Sequence, residues 1–429
     1  MMGRASGSGL YVKLKNGDQP RRGGRESGDD FAKVFFIFAI FFVCFFFVFP
    51  ALVAIFDGEI TYIQRVYKVT DEDVGKVFFS FFAFMLGVLA YDAILKINRK
   101  AKPVLVFRQE GYVKESLSIS FWVGLLIYLC YLVVGALDFN RTALAYDIRR
   151  GVENGSHLEF FLQIIFGVLK YALAFAALRV SRPYLALSIL LVSLAVELYS
   201  APGRVNVMVL VAVIVIVVVK LRAVFVAKAS FVVLVVALPL VASLKGIIYD
   251  VSVNKTFPDL YEIYTTPLDK EVFFNNFAHP FVSLLLADGL VDRVGFRFGY
   301  DYLHAFLFYF KPFGFDVAPS LTYYNTDLIF GELKSIIPTG YLAFGYVQFW
   351  FSGVFIAGFS YRLVGLYAEY VYRSIVRGHN VEALKFYLAF LAANTFYHGE
   401  LRSMILSFFF PVVVLHFLSK AATNVKREV

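Results

Sequence analysis

The sequence predicts an all-α polytopic membrane protein with about ten transmembrane helices and one large structured external loop bearing amphipathic helices. Three observations carry this expectation. Hydrophobic residues make up 59% of 429 positions, with 50 phenylalanines, and the mean hydropathy is +0.70, well above the apolar content of soluble domains. Apolar runs of roughly 17–25 residues recur, each long enough to cross a bilayer with its backbone bonded internally. The basic residues fall into blocks that repeat on alternate sides of these runs.

The runs lie near 33–56, 76–95, 118–137, 158–178, 183–199, 205–219, 223–244, 339–361, 383–397 and 403–418. They divide the chain into a flexible basic tail (1–32), helices 1–7 (33–245), the large loop (246–338), helices 8–10 (339–418) and a short tail (419–429). The first 32 residues are rich in Gly, Arg, Ser and Lys without an early apolar core, so they read as a tail before an uncleaved first span. Arg4, Lys13, Lys15, Arg21, Arg22, Arg25 and Lys33 precede that span, and Lys96, Arg99, Lys100, Lys102, Arg108 and Lys114 follow the second. Both groups are expected in the cytoplasm, which also places both termini there. Dispersed over loops, the formal charge of +9 is explained by helix orientation, and nucleic acid is not an expected partner. Cys44 and Cys130 both fall within spans and define no disulfide framework.

Alternation leaves 246–338 outside, with 11 acidic residues against 6 basic ones. Within it Phe273, Phe274, Phe277, Phe281, Leu284 and Leu285 recur at helical spacing, as do Leu303, Phe306, Leu307 and Phe310. Each stretch predicts an amphipathic helix lying on or dipping into the membrane surface. A loop of this length with its own structure reads as a site-forming element.

Three polar clusters on the external side are candidate site residues. Arg204, after Ser200-Ala201-Pro202-Gly203, opens a very apolar span at headgroup level, where a guanidinium fork can hold two phosphate oxygens or simply anchor a helix end. Arg293 and Arg297, the loop's only arginines, stand four apart before Gly299-Tyr300-Asp301-Tyr302 and would share a face if helical. Lys311-Pro312, Glu332 and Lys334 follow, and Tyr300, Tyr302, Tyr323 and Tyr324 could stack on sugar rings or line an interfacial aromatic belt. Last comes His398-Gly399-Glu400-Leu401-Arg402. If this turn continues helically, His398 could act as base or donor with Arg402 holding an anion beside it.

The order of these landmarks resembles the bacterial oligosaccharide repeat-unit polymerases of O-antigen and capsule assembly, the Wzy-type enzymes. The resemblance rests on Gly203-Arg204, on Gly299-Tyr300-Asp301-Tyr302-Leu303-His304-Ala305 with Lys311-Pro312, on Ile337-Pro338-Thr339-Gly340 leading to Phe344-Gly345, and on Leu401-Arg402. It covers about residues 200–410. Gly340-Tyr341 stands where many relatives carry an acidic residue.

The resemblance implies a metal-independent glycosyltransferase without a cofactor, at the periplasmic face of the bacterial inner membrane. The donor would be a glycan on undecaprenyl pyrophosphate and the acceptor a hydroxyl of a second lipid-linked unit. Membrane lipids and a chain-length regulator protein would be its partners. Arg204, Arg293, Arg297, Tyr300, Lys311 and Arg402 are then expected to bind substrate, with Arg204, Arg297 and Arg402 clamping the pyrophosphate as charge builds on it. His398, Glu332 and Glu400 are the candidates for acceptor activation. An O-antigen ligase would share the donor. A lipid-linked oligosaccharide flippase would share the substrate and predicts polar residues at mid-membrane, of which Asp92, Lys170, Glu197 and Lys228 are the few. Asp71-Glu72-Asp73 could in principle serve a metal-dependent polyprenyl-sugar transferase, although no ligand spacing supports a metal.

Overall fold

The computed structural model describes residues 23–62, 65–99, 183–199, 204–232, 277–308, 319–331, 337–375 and 380–405, with a few single positions besides. The expected spans at 118–137, 158–178 and 403–418 lie outside them, apart from Ala174, Ala177 and Leu178 and from residues 403–405, Phe408 and Val412, as does the 233–244 part of the seventh. The described part is mostly helical, and three of its helices are long and apolar enough to cross a membrane: Asp30–Asp57, Asp71–Ile94 and Gly340–Arg373. Shorter apolar helices run over Tyr184–Leu194, Val209–Val219 and Ala223–Val232.

The first helix is longer than the expected span because it reaches back through the charged segment before it. It comprises α1 (Gly23–Val43), a π-helical turn (Cys44–Val48) and α2 (Phe49–Asp57), with Lys33 paired to Asp30 at 3.2 Å near its start. Pro50 has no N–H to donate one turn back, and the ladder widens just before it, with the Phe49 amide donating to the Cys44 carbonyl. Gly58, in the left-handed conformation at φ 73°, ends the helix.

A two-stranded antiparallel hairpin follows, β1 (Glu59–Tyr62) and β2 (Arg65–Lys68), where hydropathy suggests only a connection. α3 (Asp71–Arg99) begins at a reciprocal cap. The Thr70 hydroxyl donates to Asp73 Oδ2 at 2.8 Å, and the Asp73 amide donates back to Thr70 Oγ1 at 3.2 Å. Asp71, Glu72 and Asp73 thus occupy the positive end of a helix, which accounts for the acidic run. Among the described residues no cluster of three His, Cys, Asp or Glu side chains could hold a metal.

α4 (Pro183–Tyr199) and α5 (Arg204–Val219) fall where the sequence expects spans, and α6 (Ala223–Val232) follows. The described part of the large loop forms α7 (His279–Leu285), α8 (Ala287–Val294), α9 (Tyr300–Leu307) and α10 (Leu321–Phe330). α7 corrects an expectation, since all seven of its residues are buried. Instead of lying on a surface, it is wedged against the π-helical turn, with Phe46 on Phe277 at 5.5 Å and Phe47 on Phe281 at 6.0 Å between ring centroids. Phe273 and Phe274 lie outside the described residues. α9 is amphipathic as expected, with Leu303 and Phe306 exposed, but the side chain it turns inward is Asp301.

α11 (Gly340–Ile375) is broken at Phe349 and Trp350, whose φ/ψ values of −149°/32° and 56°/−143° are not helical. Tyr341 and Tyr361 meet edge to face with ring centroids 5.4 Å apart, although a straight helix would hold residues this far apart in sequence about 30 Å from each other. The 340–348 half therefore folds back along the 351–375 half. Of the expected span at 339–361 the first part thus belongs to a separate half-helix of nine residues, too few to cross a bilayer, and only the 351–375 half is long enough to do so. α12 (Val381–His398) and the short α13 (Leu401–Met404) complete the described elements.

Aromatic side chains and glycines bring the long helices together. Phe38 meets Phe386 at 5.1 Å and Phe390 at 5.3 Å, and Phe46 meets Tyr397 at 5.0 Å, so α1 and α12 run parallel. A Cβ on Gly87 of α3 would stand 2.1 Å from the Phe355 carbonyl oxygen, and one on Gly358 2.0 Å from that of Phe84. The two backbones touch through this reciprocal pair, as small residues allow in membrane helices. Arg362 closes the same contact with a bond from Nε to Asp92 Oδ1 at 2.8 Å.

Candidate functional site

The loop helices gather at the end of the bundle where α11 breaks and α12 stops. Their placement starts with the segment between α8 and α9. Gly295, at φ 69°, ends α8, and the Arg297 and Phe298 amides donate at 3.0 Å to the Val347 and Gln348 carbonyls, the last of the 340–348 half-helix. Carbonyls that a broken helix leaves unbonded are thus satisfied by a crossing strand of chain. The Gly299 amide adds a 3.0 Å bond to Gln348 Oε1.

Asp301 sits at the centre of this junction, 4% exposed. Arg297 reaches it with two bonds, Nε to Oδ2 at 3.1 Å and Nη2 to Oδ1 at 3.0 Å, and Gln348 Nε2 donates to Oδ2 at 2.6 Å. The guanidinium also lies 4.4 Å from the centre of the Tyr300 ring, which itself stacks on His304 at 3.8 Å. A buried carboxylate requires such pairing. Sequence periodicity could not announce it, since Asp301 and Gln348 come from separate elements.

The second half of the site is the turn after α12. Gly399, at φ 65°, ends that helix, and a Cβ there would meet the Gly340 carbonyl carbon at 2.1 Å. His398 and Arg402 therefore do not share a continuous helical face, because the chain leaves the helix between them. Glu400 is 3% exposed and accepts a short hydrogen bond from the Thr322 hydroxyl. Burial pushes its carboxyl pKa upward, and the neighbouring Asp301 charge adds to this, while Arg402 and the Thr322 and Ser320 hydroxyls oppose it. Arg402 lies over Phe308, its guanidinium carbon 3.8 Å from the ring centre. Burial pulls the His398 imidazole down to about 4.

The structure thus brings Arg297, Tyr300, Glu400 and Arg402 into one neighbourhood, together with Asp301, which the sequence motif includes without a role, and Gln348, Ser320 and Thr322, which sequence reasoning did not single out. The Thr322–Glu400 pair spans 78 residues and leaves no local pattern. Arg293 is elsewhere. It belongs to α8, pairs with Asp327 of α10 and is largely exposed, so it does not share a face with Arg297. Arg204 opens α5 as expected; its side chain, Lys311, Glu332 and Lys334 lie outside the described residues.

Two further contacts fix this end of the bundle. Arg65 of the hairpin donates to the Phe330 carbonyl at 2.7 Å, at the C-terminus of α10, where a cation is electrostatically favoured. Lys76 is buried and binds Asp288 at 2.7 Å, which accepts a bond from the Tyr346 hydroxyl at 2.8 Å. Tyr346 in turn accepts from Trp350 Nε1 at 2.8 Å, at the break itself.

No family model matches the chain, and neither a curated protein nor a solved structure does.

Proposed function

We propose that the protein is a multi-pass glycosyltransferase of the bacterial inner membrane. In this reading it joins undecaprenyl-pyrophosphate-linked repeat units into O-antigen or capsule at the periplasmic face. The observation that carries it is the placing of a buried carboxyl, Glu400, beside the guanidinium of Arg402, under a helix whose apolar side chains point outward.

Glycosyl transfer from a pyrophosphate needs a group that takes the acceptor proton and a cation for the departing anion. Glu400 suits the first role, since a carboxylate that burial makes more basic accepts a proton more readily. As the bond from the anomeric carbon to the pyrophosphate oxygen breaks and the acceptor oxygen bonds to that carbon, the hydroxyl proton passes to Glu400. Arg402 suits the second role. Its charge gains interaction energy as the pyrophosphate separates, so transition-state binding exceeds ground-state binding. Arg297 contributes differently from the clamp expected from sequence, because Asp301 already balances its charge and the pair positions α9. Leu303 and Phe306 on that helix offer the apolar contact that a polyprenyl chain requires.

The broken α11 favours one second reading, a flippase, because half-helices at bilayer depth recur in transporters. Against it, Asp92 is consumed by Arg362, and Lys228 is exposed. Glycan laddering on gels separates the readings. In cells lacking the gene, wild type should rebuild a ladder from single repeat units, and Glu400→Gln and Arg402→Ala should leave single units attached to the lipid acceptor. Repeat units trapped inside the cell would establish transport instead, and unattached long chains ligation.

A further inference from the structure

The side chains of α9 fall on three faces. Asp301 and Ala305 are buried, and Phe308 lies under the Arg402 guanidinium, so this face meets the turn that carries Glu400 and Arg402. Leu303 and Phe306 are exposed on the opposite face, and Tyr302 packs on Phe344 of α11 at 5.3 Å between ring centroids. His304 stands at the boundary between the first two faces. At about 100° per residue it is about 60° round the helix from Asp301 and about 100° from Leu303, on the flank away from Tyr302. Phe308 keeps helical angles, φ −53° and ψ −38°, so this spacing holds over the whole row.

The His304 ring is set among cations. Tyr300, one turn back, stacks on it with centroids 3.8 Å apart and planes inclined by 28°, and the Arg297 guanidinium lies 4.4 Å from the centre of the Tyr300 ring. Phe308, one turn forward, carries Arg402 at 3.8 Å. Side chains one turn apart on a helix are about 5–6 Å apart at Cβ, so one aromatic ring separates His304 from each guanidinium. Its two nitrogens differ. Nδ1 is buried with no hydrogen-bond partner among the described residues, yet the residue is partly exposed, so the exposure falls on the far edge of the ring, which carries Nε2. Buried N–H groups without an acceptor are rarer in folded proteins than buried lone pairs without a donor, so the imidazole proton belongs on Nε2.

We propose that His304 binds a phosphate oxygen of the lipid-linked pyrophosphate through its Nε2–H, beside Arg402. This inference rests on the reaction proposed above and adds to it a residue without an assigned role. The arrangement selects an anion that carries an apolar chain. A chain lying along Leu303 and Phe306 brings its phosphates to the edge of that face, where His304 supplies a donor and Arg402 a cation. Arg297 does not compete for the same oxygens, because both of its bonds go to Asp301. With one proton, the imidazole gives a directional bond without placing another fixed cation near Glu400, which would make that carboxylate a weaker base. Stacking on Tyr300 holds the ring, so little side-chain freedom is lost when the ligand arrives.

Isothermal titration of the full chain in detergent micelles with geranyl pyrophosphate tests this, with geraniol and inorganic pyrophosphate in parallel. His304→Ala should weaken geranyl pyrophosphate binding about tenfold, the scale of one hydrogen bond to a charged group. His304→Gln, whose amide nitrogen takes the place of Nε2, should keep most of the affinity, and His304→Asn, whose amide takes the place of Nδ1, should not. Geraniol should bind all four proteins alike, and inorganic pyrophosphate should bind more weakly than the geranyl ester. If the alanine variant does not fold, the Gln and Asn variants decide alone. Unchanged affinity in His304→Ala, rescue by Asn in place of Gln, inorganic pyrophosphate binding as tightly as the geranyl ester, or a wild type that binds no geranyl pyrophosphate would each overturn the assignment. The titration involves no turnover, so the two proposals fail separately. Laddering that shows polymerisation beside a titration indifferent to His304 would sink this inference and leave the reaction standing, and laddering that shows transport beside a His304-dependent titration would do the reverse.

Discussion

Gly353 lies so close to Gly345 that a Cβ on it would meet the Gly345 carbonyl oxygen at 1.9 Å. The two halves of α11 therefore pack backbone to backbone. The break at Phe349–Trp350 is held in place by this contact as well as by the amides of Arg297 and Phe298.

Gly353→Ala should therefore destabilise the protein by about 3 kcal/mol, the upper end of the cost of overpacking a close contact. Gly75→Ala should be nearly neutral, because nothing lies within 4 Å of a Cβ there. Denaturant unfolding of the purified protein in micelles would measure both.

Asp92 and Arg362 form a largely buried pair at 2.8 Å, with side-chain exposures of 28% and 9%. Asp92→Ala should cost about 2–3 kcal/mol, since it strands a guanidinium among Phe35 and Phe36. Adding Arg362→Met should recover much of that loss. A double-mutant cycle with a coupling near zero would contradict this account.

The pH dependence has a definite sign. His279 and His398 have folded pKa values of about 3 and about 4, below the ordinary value of about 6.5. The unfolded chain then binds more protons between those values, so their contribution to stability is present above pH 6.5 and is lost as pH falls toward 4. Glu400 acts in the opposite sense, because its raised pKa favours the folded state at low pH and that part is lost as pH rises through it. Tm should fall between pH 6.5 and pH 4, and His398→Gln should flatten part of the slope.

Much of the helical architecture is legible in the sequence, and the reasons are local. An apolar run of bilayer length has few alternatives to a helix, so 183–199, 205–219 and 383–397 fall where structure puts α4, α5 and α12. Hydropathy misses the break in α11 because Phe349 and Trp350 are as apolar as their neighbours. It also misses the burial of α7, since helical spacing of Phe281, Leu284 and Leu285 cannot distinguish a surface helix from an enclosed one. In the site, the arginines and Glu400 are visible as charges in an apolar chain. Arg297 has its partner Asp301 only four residues away, but Asp301 meets Gln348 and Glu400 meets Thr322 only through the fold.

Arg65→Met should loosen the hairpin by about 1 kcal/mol, the scale of a charged hydrogen bond at an exposed position. Arg65→Lys should retain part of it, having one point charge for the two carbonyls that Arg65 reaches, those of Phe330 at 2.7 Å and Leu328 at 3.5 Å. Limited proteolysis between β1 and β2, with hydrogen exchange at the Gly331 amide, would read the change.

The Arg65 contact also orders events during synthesis. Its acceptor, the Phe330 carbonyl, lies 265 residues further along the chain. At translation rates of about 5–20 residues per second the hairpin waits roughly 10–50 s for its anchor. During that interval the first two long helices are joined by an unfastened clasp. The Glu400 turn, which packs on Thr322 of α10, is synthesised later still.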